Sequence, residues 1–473
     1  MTQATPESNP SESQAPVDWR PWTWQLNSYH WFVFTVAALG WLFDTMDQQL
    51  FNLARVPAMR ELLAPSPDVP ADKAMVSEYA GYATSIFLIG WATGGIFFGV
   101  LGDRIGRAKT MLFTILLYSF FTGFSAFSTG FWDFAFYRFL TGLGVGGEFA
   151  VGVSLVAEVM PHRARPFALG LLQALSAVGN ITAALVSMGL GQMAESGIIG
   201  NFDVFGFKLT AWRLMFVIGT LPALLAILIR RRLKEPEQWQ AAMASGQTAK
   251  KAGSYSELFG DPRWRHRAIV GLVMASAGVI GLWGIGFFSF DLLQSVLRKK
   301  FEAQGLDQQA ITGQLAFWTG VTSVVQNVGG FFGVYAFSVV THHTGRKPAF
   351  AVAYVLAMVS TALVFWNLKE FSDIFWMIPI MGFCQLSLFG GYAIYFPELF
   401  PTRLRSTGTS FCYNVGRFVA AVGPFTFGLL TSRVFSDQAE PMRYAGVTMC
   451  TVFLVGLIAL PFAPETKGQP LPE

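Results

Sequence analysis

Charge is scarce in this chain. Of 473 residues only 13% are Asp, Glu, Lys or Arg, about half the ~25% usual for soluble domains, so an ordinary solvated globular surface is excluded. Cysteine is scarcer still: Cys384, Cys412 and Cys450 are the three, each inside an apolar run, and neither a disulfide framework nor a metal site is expected. The first residues lack a basic start followed by a short apolar core, so no cleaved signal peptide is expected. There is no metal-ligand cluster, nucleophile–base pair or phosphate-binding loop, which argues against an enzyme, a bound cofactor or an ATP-driven machine. The net charge of +4 follows the loops and does not point to nucleic acid.

What fills the chain is apolar: 53% of residues are hydrophobic and 46 are phenylalanine. Runs of about 20 residues or more, each able to cross a bilayer as a helix, recur near 29–54, 79–101, 108–130, 132–159, 165–194 and 212–231. Six more follow near 267–294, 313–341, 347–367, 373–399, 405–432 and 444–463. The expected fold class is an all-α membrane protein, with twelve transmembrane helices forming two six-helix bundles. Residues 1–28, rich in Pro, Ser and Gln, read as a disordered cytoplasmic tail. Residues 29–231 form the N-terminal bundle, 232–266 a basic cytoplasmic linker, 267–463 the C-terminal bundle and 464–473 a cytoplasmic tail. In the linker, KEPEQW reads as a short amphipathic helix. With both termini inside, the inner segments hold 20 Lys and Arg and the outer loops 11, the bias of a multi-pass inner (plasma) membrane protein. One basic loop, RKKFE at 298–302, falls on the outer side against that bias.

The halves echo each other. Glu158, Pro161, Arg163 and Arg165 in AEVMPHRARPFALG recur as Glu398, Pro401, Arg403 and Arg405 in PELFPTRLRSTGTS, at a constant offset of 240 residues. A weaker echo links GDRIGR at 102–107 with THHTGR at 341–346. Prolines and arginines here serve as helix stops and topology anchors, but the repeated Glu is suited to pairing with arginines and tying inner helix ends together in one of two states. Internal repeats are common in transporter folds.

GVLGDRIGRAKT at 99–110 sits between the second and third apolar runs, and the chain there resembles the major facilitator superfamily. LTGLGVGGEFAVGVSLVAEVMPHRAR at 140–165 resembles the sugar-porter signature through Gly142, Gly146, Glu158 and Arg165; KEPEQW and PETKG match family motifs at the ends of the two halves. The resemblance implies a transporter with a cytoplasmic gate at Asp103, Arg107, Glu158, Arg163, Glu398 and Arg403. The seventh run, GLWGIGFFSFDLLQSV, lacks the glutamine pairs with which sugar porters bind hydroxyls. Arg417 in the eleventh run, and the Asp-x-x-Asp of GWLFDTMDQQLF, resemble instead the organic-anion branch of aromatic acid, nicotinate, lactate and sialate symporters.

Intramembrane charges carry the functional reading, because each acid at bilayer depth costs roughly 2.5–3.5 kcal/mol. Asp44 and Asp47 share one helix face, and on a helical ruler they fall between Arg138 and Glu148 in height. Asp44 resembles the family acid that pairs with the fourth-helix arginine, here Arg138. The proton-coupling candidates are Asp44, then Asp47, then Glu148, with Arg138 as counter-charge; a fixed ion pair that only holds helices together is the alternative. Arg417 needs a partner, and an anionic substrate held by its planar fork supplies one, with Asn414, Trp283, Phe287 and Phe288 as neighbours. The alternatives are carbonyl bonding or pairing with Asp291 or Glu148. The expected function is proton-coupled symport of a small organic anion, such as a monocarboxylate or aromatic acid, by a monomer in the lipid bilayer. The rivals are a sugar or polyol symporter and a non-transporting sensor on the same fold.

Overall fold

The computed structural model describes residues 21–64, 71–199, 203–204, 207–245, 251–286, 288–420 and 422–472. The N-terminal half contains α1 (Ser28–Leu62), α2 (Lys73–Ile105), α3 (Arg107–Ser125), α4 (Phe131–Val159) and α5 (Arg165–Glu195). Its sixth crossing is split into α6 (Ala211–Ile218) and α7 (Ala223–Arg232), because Gly219 and Pro222 interrupt the helix between them. Two short helices follow, α8 (Glu237–Ala244) and α9 (Tyr255–Gly260).

The C-terminal half opens with α10 (Pro262–Val279), which passes through a π turn at Ile280–Gly286 into α11 (Phe288–Ala303). α12 (Gln308–Thr344), α13 (Arg346–Asn367) and α14 (Ile374–Leu399) come next. The eleventh crossing comprises α15 (Arg405–Ala420) and α16 (Val422–Leu429), and the twelfth α17 (Pro441–Met449) and α18 (Val452–Ala459). Eight helical runs among the described residues are long and apolar enough to cross a bilayer. α1, α3, the α6–α7 pair and the α15–α16 pair bring the crossings to twelve.

Two boundaries differ from the sequence reading, and one loop holds a short ladder. Residues 21–27 are not a loose tail: Trp22–Gln25 forms a 3-10 turn, and the Trp22 ring stacks on Phe167 at 5.9 Å. Asn27 caps α1 by accepting the His30 N–H at 2.8 Å; residues 1–20 of that tail lie outside the described residues. The seventh crossing starts at Pro262, inside the expected linker, with Asp261 as its cap. A two-residue antiparallel ladder, Asp203–Val204 on Phe207–Lys208, lies in the loop between α5 and α6.

Both described ends of the chain reach one face, here called basal. Tyr29 Oη lies 3.3 Å from the Lys234 carbonyl, and the Gln469 carbonyl lies 3.0 Å from His162 Nε2. On this side the halves close on each other. α2 packs on α15, with Gly95 against Asn414, Gly99 against Ser410 and Gly102 against Ser406. α5 packs on α12, from Gly170 against Ser338 up to a 3.0 Å hydrogen bond between Asn180 and Asn327.

Candidate functional site

At bilayer depth the N-terminal half buries four ionisable side chains, Asp44, Asp47, Arg138 and Glu148, in two pairs. Asp47 faces Arg138 at 3.7 Å and accepts the Thr122 hydroxyl at 2.8 Å. The Arg138 guanidinium donates to Ser125 Oγ at 2.8 Å and Thr141 Oγ1 at 3.0 Å, and lies 4.6 Å over the Phe216 ring. This corrects the expected pairing: the acid opposite Arg138 is Asp47, not Asp44. The reason is helical geometry, since a shift of three residues along α1 raises the acid by about 4.5 Å to the level of Arg138.

Asp44 belongs one turn lower, with Glu148. The Glu148 carboxylate lies directly over Gly40, one turn before Asp44, where any side chain would collide with it. All four carboxylate oxygens of Asp44 and Glu148 lack a hydrogen-bond partner, although both residues are 1% exposed. Two buried acids without donors repel each other in low dielectric.

Arg417 comes from the other half and meets this pair. Its Nη1 donates to Asn414 Oδ1 at 2.8 Å; its guanidinium lies 4.1 Å from the Trp91 ring centroid and 4.4 Å from that of Tyr413. Asn414 in turn donates to the Gly146 carbonyl of α4 at 3.3 Å. Arg417 Nε is buried without a partner, and no carboxylate among the described residues lies within ion-pair distance. Asp291, the acid considered as its partner, is instead exposed on the first turn of α11.

The remaining aromatic candidates divide. Trp283 is half-buried in the π turn and packs against the apolar core. Phe288 stacks face to face on Phe427 at 3.9 Å, inside its own half. Phe287 lies outside the described residues.

The basal clamp is built twice. In the N-terminal half Arg107 binds Glu158 at 2.9 Å and Asp103 at 2.9 Å, following the positive-φ turn at Gly106 (φ 115°). In the C-terminal half Arg346 binds Glu398 at 2.8 Å, following Gly345 (φ 100°). Glu235 accepts the N–H groups of Ala108 and Lys109 at the start of α3; Glu465 accepts those of Arg346 and Lys347 at the start of α13. Burial raises the proton affinity of Glu465, but N–H bonds from Arg346, Lys347, Lys467 and Thr466 outweigh it and hold its pKa below the ordinary value.

Bridges then cross between the halves. Arg405 donates to Glu158 at 2.7 Å, and Asp103 accepts the N–H groups of Ser406 and Thr407 at the start of α15. The arginines of the two echoed loops differ in their partners. Glu158 is bound by Arg107 and Arg405, while Arg403 binds Glu257 of α9 at 2.8 Å. Arg163 lies near His342.

Trp91, Tyr413, Arg346, Arg405, Glu235 and Glu465 were not among the expected site residues. Arg346 and Arg405 stood in the repeats, and the two glutamates in the KEPEQW and PETKG motifs. Trp91 had no local signal, because one more aromatic on a membrane helix is unremarkable in sequence.

Twelve crossings in two similar halves, closed at one face over buried charges, define a polytopic membrane transporter rather than an enzyme. The model of the Major Facilitator Superfamily matches residues 37–424, and the chain belongs to that family. A probable 4-methylmuconolactone transporter of Cupriavidus pinatubonensis is 28% identical over 432 residues, covering 91% of this chain and 89% of its own. The cis,cis-muconate transport protein of Acinetobacter baylyi is 28% identical over 413 residues, covering 86% and 89%. The sialic acid transporter NanX of Escherichia coli is 28% identical over 382 residues, covering 80% and 82%. Among solved structures, the proton:xylose symporter XylE bound to 6-bromo-6-deoxy-D-glucose shares the fold. Its TM-score is 0.72 at 17% identity, over 94% of this chain and 98% of that one.

Proposed function

We propose that this transporter moves a small organic anion together with protons by alternating access, with Arg417 as the substrate ligand and the Asp44–Glu148 pair as the proton carrier. The observation that carries the reading is Arg417 itself: buried, within cation–π distance of Trp91 and Tyr413, and without a carboxylate partner among the described residues. A desolvated guanidinium beside two aromatic rings is suited to a planar carboxylate. Relatives named for muconate, methylmuconolactone and sialic acid transport support an acidic substrate. Likeness of fold to a xylose symporter at 17% identity carries no substrate.

In this reading a carboxylate arriving at Arg417 takes over from Asn414 and adds negative charge beside Asp44 and Glu148. The pair then holds its proton more tightly, so substrate and proton are bound together. Asp103, Arg107, Glu158, Arg405, Arg346 and Glu398 form the gate, and the basal face is cytoplasmic because the inner segments carry the excess of Lys and Arg.

Direct binding tests the assignment. Arg417→Lys keeps the charge and loses the fork, so affinity for a carboxylate should fall; Arg417→Ala should lower it by about 30- to several thousand-fold, the ~2–5 kcal/mol of a desolvated charge pair. Unchanged affinity in Arg417→Ala, or a neutral sugar as the best wild-type ligand, would sink the reading. Asp44→Asn mimics the protonated acid: counterflow exchange should persist while accumulation driven by a pH step is lost. Accumulation by that variant would move the carrier role to Glu148.

A further inference from the structure

The basic loop that violates the charge bias has a structural setting. Lys299 and Lys300, near the C-terminal end of α11, face Lys369 and Phe371 of the loop before α14 across a cavity of about 660 Å³ on the apical face, opposite the basal one. That volume is within the range of small-molecule sites. Arg443 also borders it, but its charge is committed. It donates to the carbonyls of Phe365, Trp366 and Leu368 and pairs with Glu440 at 2.6 Å, so it fixes the wall. Lys300 Nζ lies 4.6 Å over the Phe371 ring. Neither Lys299 nor Lys369 has a carboxylate within ion-pair distance among the described residues. The uncommitted lining charge is thus three lysines against Glu370. Favourable placement at a helix C-terminus accounts for Lys300 but not for Lys369, which belongs to a different loop.

We propose that this apical cavity is a second, low-affinity anion site that collects small carboxylates from the aqueous phase above the C-terminal half. A concave cluster of one sign raises the local concentration of the opposite charge and speeds its encounter, and an anion held between the lysines offsets their mutual repulsion. The inference that the collected anion is the transported one rests on the organic-anion reading; the binding of carboxylates to the cavity does not.

The test uses the full chain with Lys299→Gln, Lys300→Gln and Lys369→Gln combined, exposed side chains whose replacement leaves the core untouched. First, benzoate binding is followed by ligand-observed NMR in the Arg417→Ala background. Weak, salt-sensitive binding should remain there and vanish when the three glutamines are added. Equal signals with and without the lysines would overturn the site. Second, uptake is measured in proteoliposomes of phosphatidylcholine alone. The triple variant should raise KM at low ionic strength by roughly tenfold, leave kcat unchanged and flatten the salt dependence of KM. An unchanged KM and salt slope would overturn the collecting role, even with Arg417 established as the ligand. A difference between wild type and variant that emerges only after phosphatidylglycerol is added would assign the cavity to a lipid headgroup and overturn the proposal. Failure of the organic-anion reading is seen separately, as Arg417→Ala binding carboxylates like the wild type.

Discussion

The two halves share a clamp and differ in their interiors. At the base each has a positive-φ glycine followed by an arginine, a glutamate closing the pair and a second glutamate capping the helix that the arginine begins. At bilayer depth the N-terminal half buries Asp44, Asp47, Arg138 and Glu148, whereas the C-terminal half contributes Arg417 and, on other helices, uncharged pairs such as Thr361 with Gln385. Duplication preserved what both halves need, a way to lock helix ends. The chemistry needs only one copy of each partner, so it diverged. Even the clamp is not fully matched. Asp103 caps α15 across the seam, while the aligned position in the second copy is His342, whose ring instead meets Phe167 at 5.0 Å.

The contrast is broken most severely at Arg138. Arg138→Leu strands Asp47 in the core, and removing one member of a buried pair costs about 3–5 kcal/mol. The protein should lose most of its folded yield and its sharp thermal transition. Adding Asp47→Leu should restore both, since replacing a whole buried pair by apolar groups is often neutral. No recovery in the double variant would mean that Asp47 serves more than the pair. The equivalent loss in the other half, Arg417→Ala, should leave the melting curve far less affected, because no carboxylate among the described residues lies within ion-pair distance of Arg417.

A smaller effect compares the two clamp glutamates. Glu158 holds one arginine from each half, Glu398 an arginine of its own half. Glu158→Gln should therefore loosen the basal closure by roughly tenfold, ~1.4 kcal/mol, and Glu398→Gln by less. The measurement is the labelling rate of Ser410→Cys, which is fully buried in the seam, in inside-out vesicles. Ser254→Cys is the control for sidedness, and its labelling in right-side-out vesicles would invert the assigned topology. Equal rates for the two glutamine variants would show that the crossing bridge from Arg405 contributes nothing to closure.

The smallest effect is at the caps. Glu465→Ala should lower stability by about 1 kcal/mol, the usual cost of a lost N-cap. Because its pKa in the folded protein is held below the ordinary carboxylate value, its contribution is present above about pH 4.3 and fades as the pH falls through the depressed pKa. The difference in melting temperature between wild type and Glu465→Ala should shrink in the same direction. A constant difference across acid pH would mean that packing, not the charged cap, is what the substitution removes.

Most of the fold was legible because bilayer crossing imposes a length on every helix. The charged residues were legible for the same reason, since Asp44, Asp47, Arg138, Glu148 and Arg417 are costly where they stand. Their pairing was not. Two acids three residues apart differ by less than one turn, and only the packing of α1 on α4 decides that Asp47 meets Arg138. The crossing bridges were hidden too: Arg405 and Glu158 sit in the repeats, but sequence repeats do not reveal that an element of one half reaches into the other. Trp91 is visible only when α2 and α15 are brought together.

That last contact has an optical consequence. Indole emission is sensitive to a charge placed on its face, and Trp91 holds the Arg417 guanidinium 4.1 Å from its ring centroid. An anion that draws Arg417 away, or neutralises it in place, changes the field on that indole before any helix moves. The site thus contains its own fluorophore. The chain has 14 tryptophans, so the signal is the part of the ligand-induced change that Trp91→Phe abolishes. Its amplitude reports occupancy of the central site, while its rate separates binding from the slower rearrangement of the two halves.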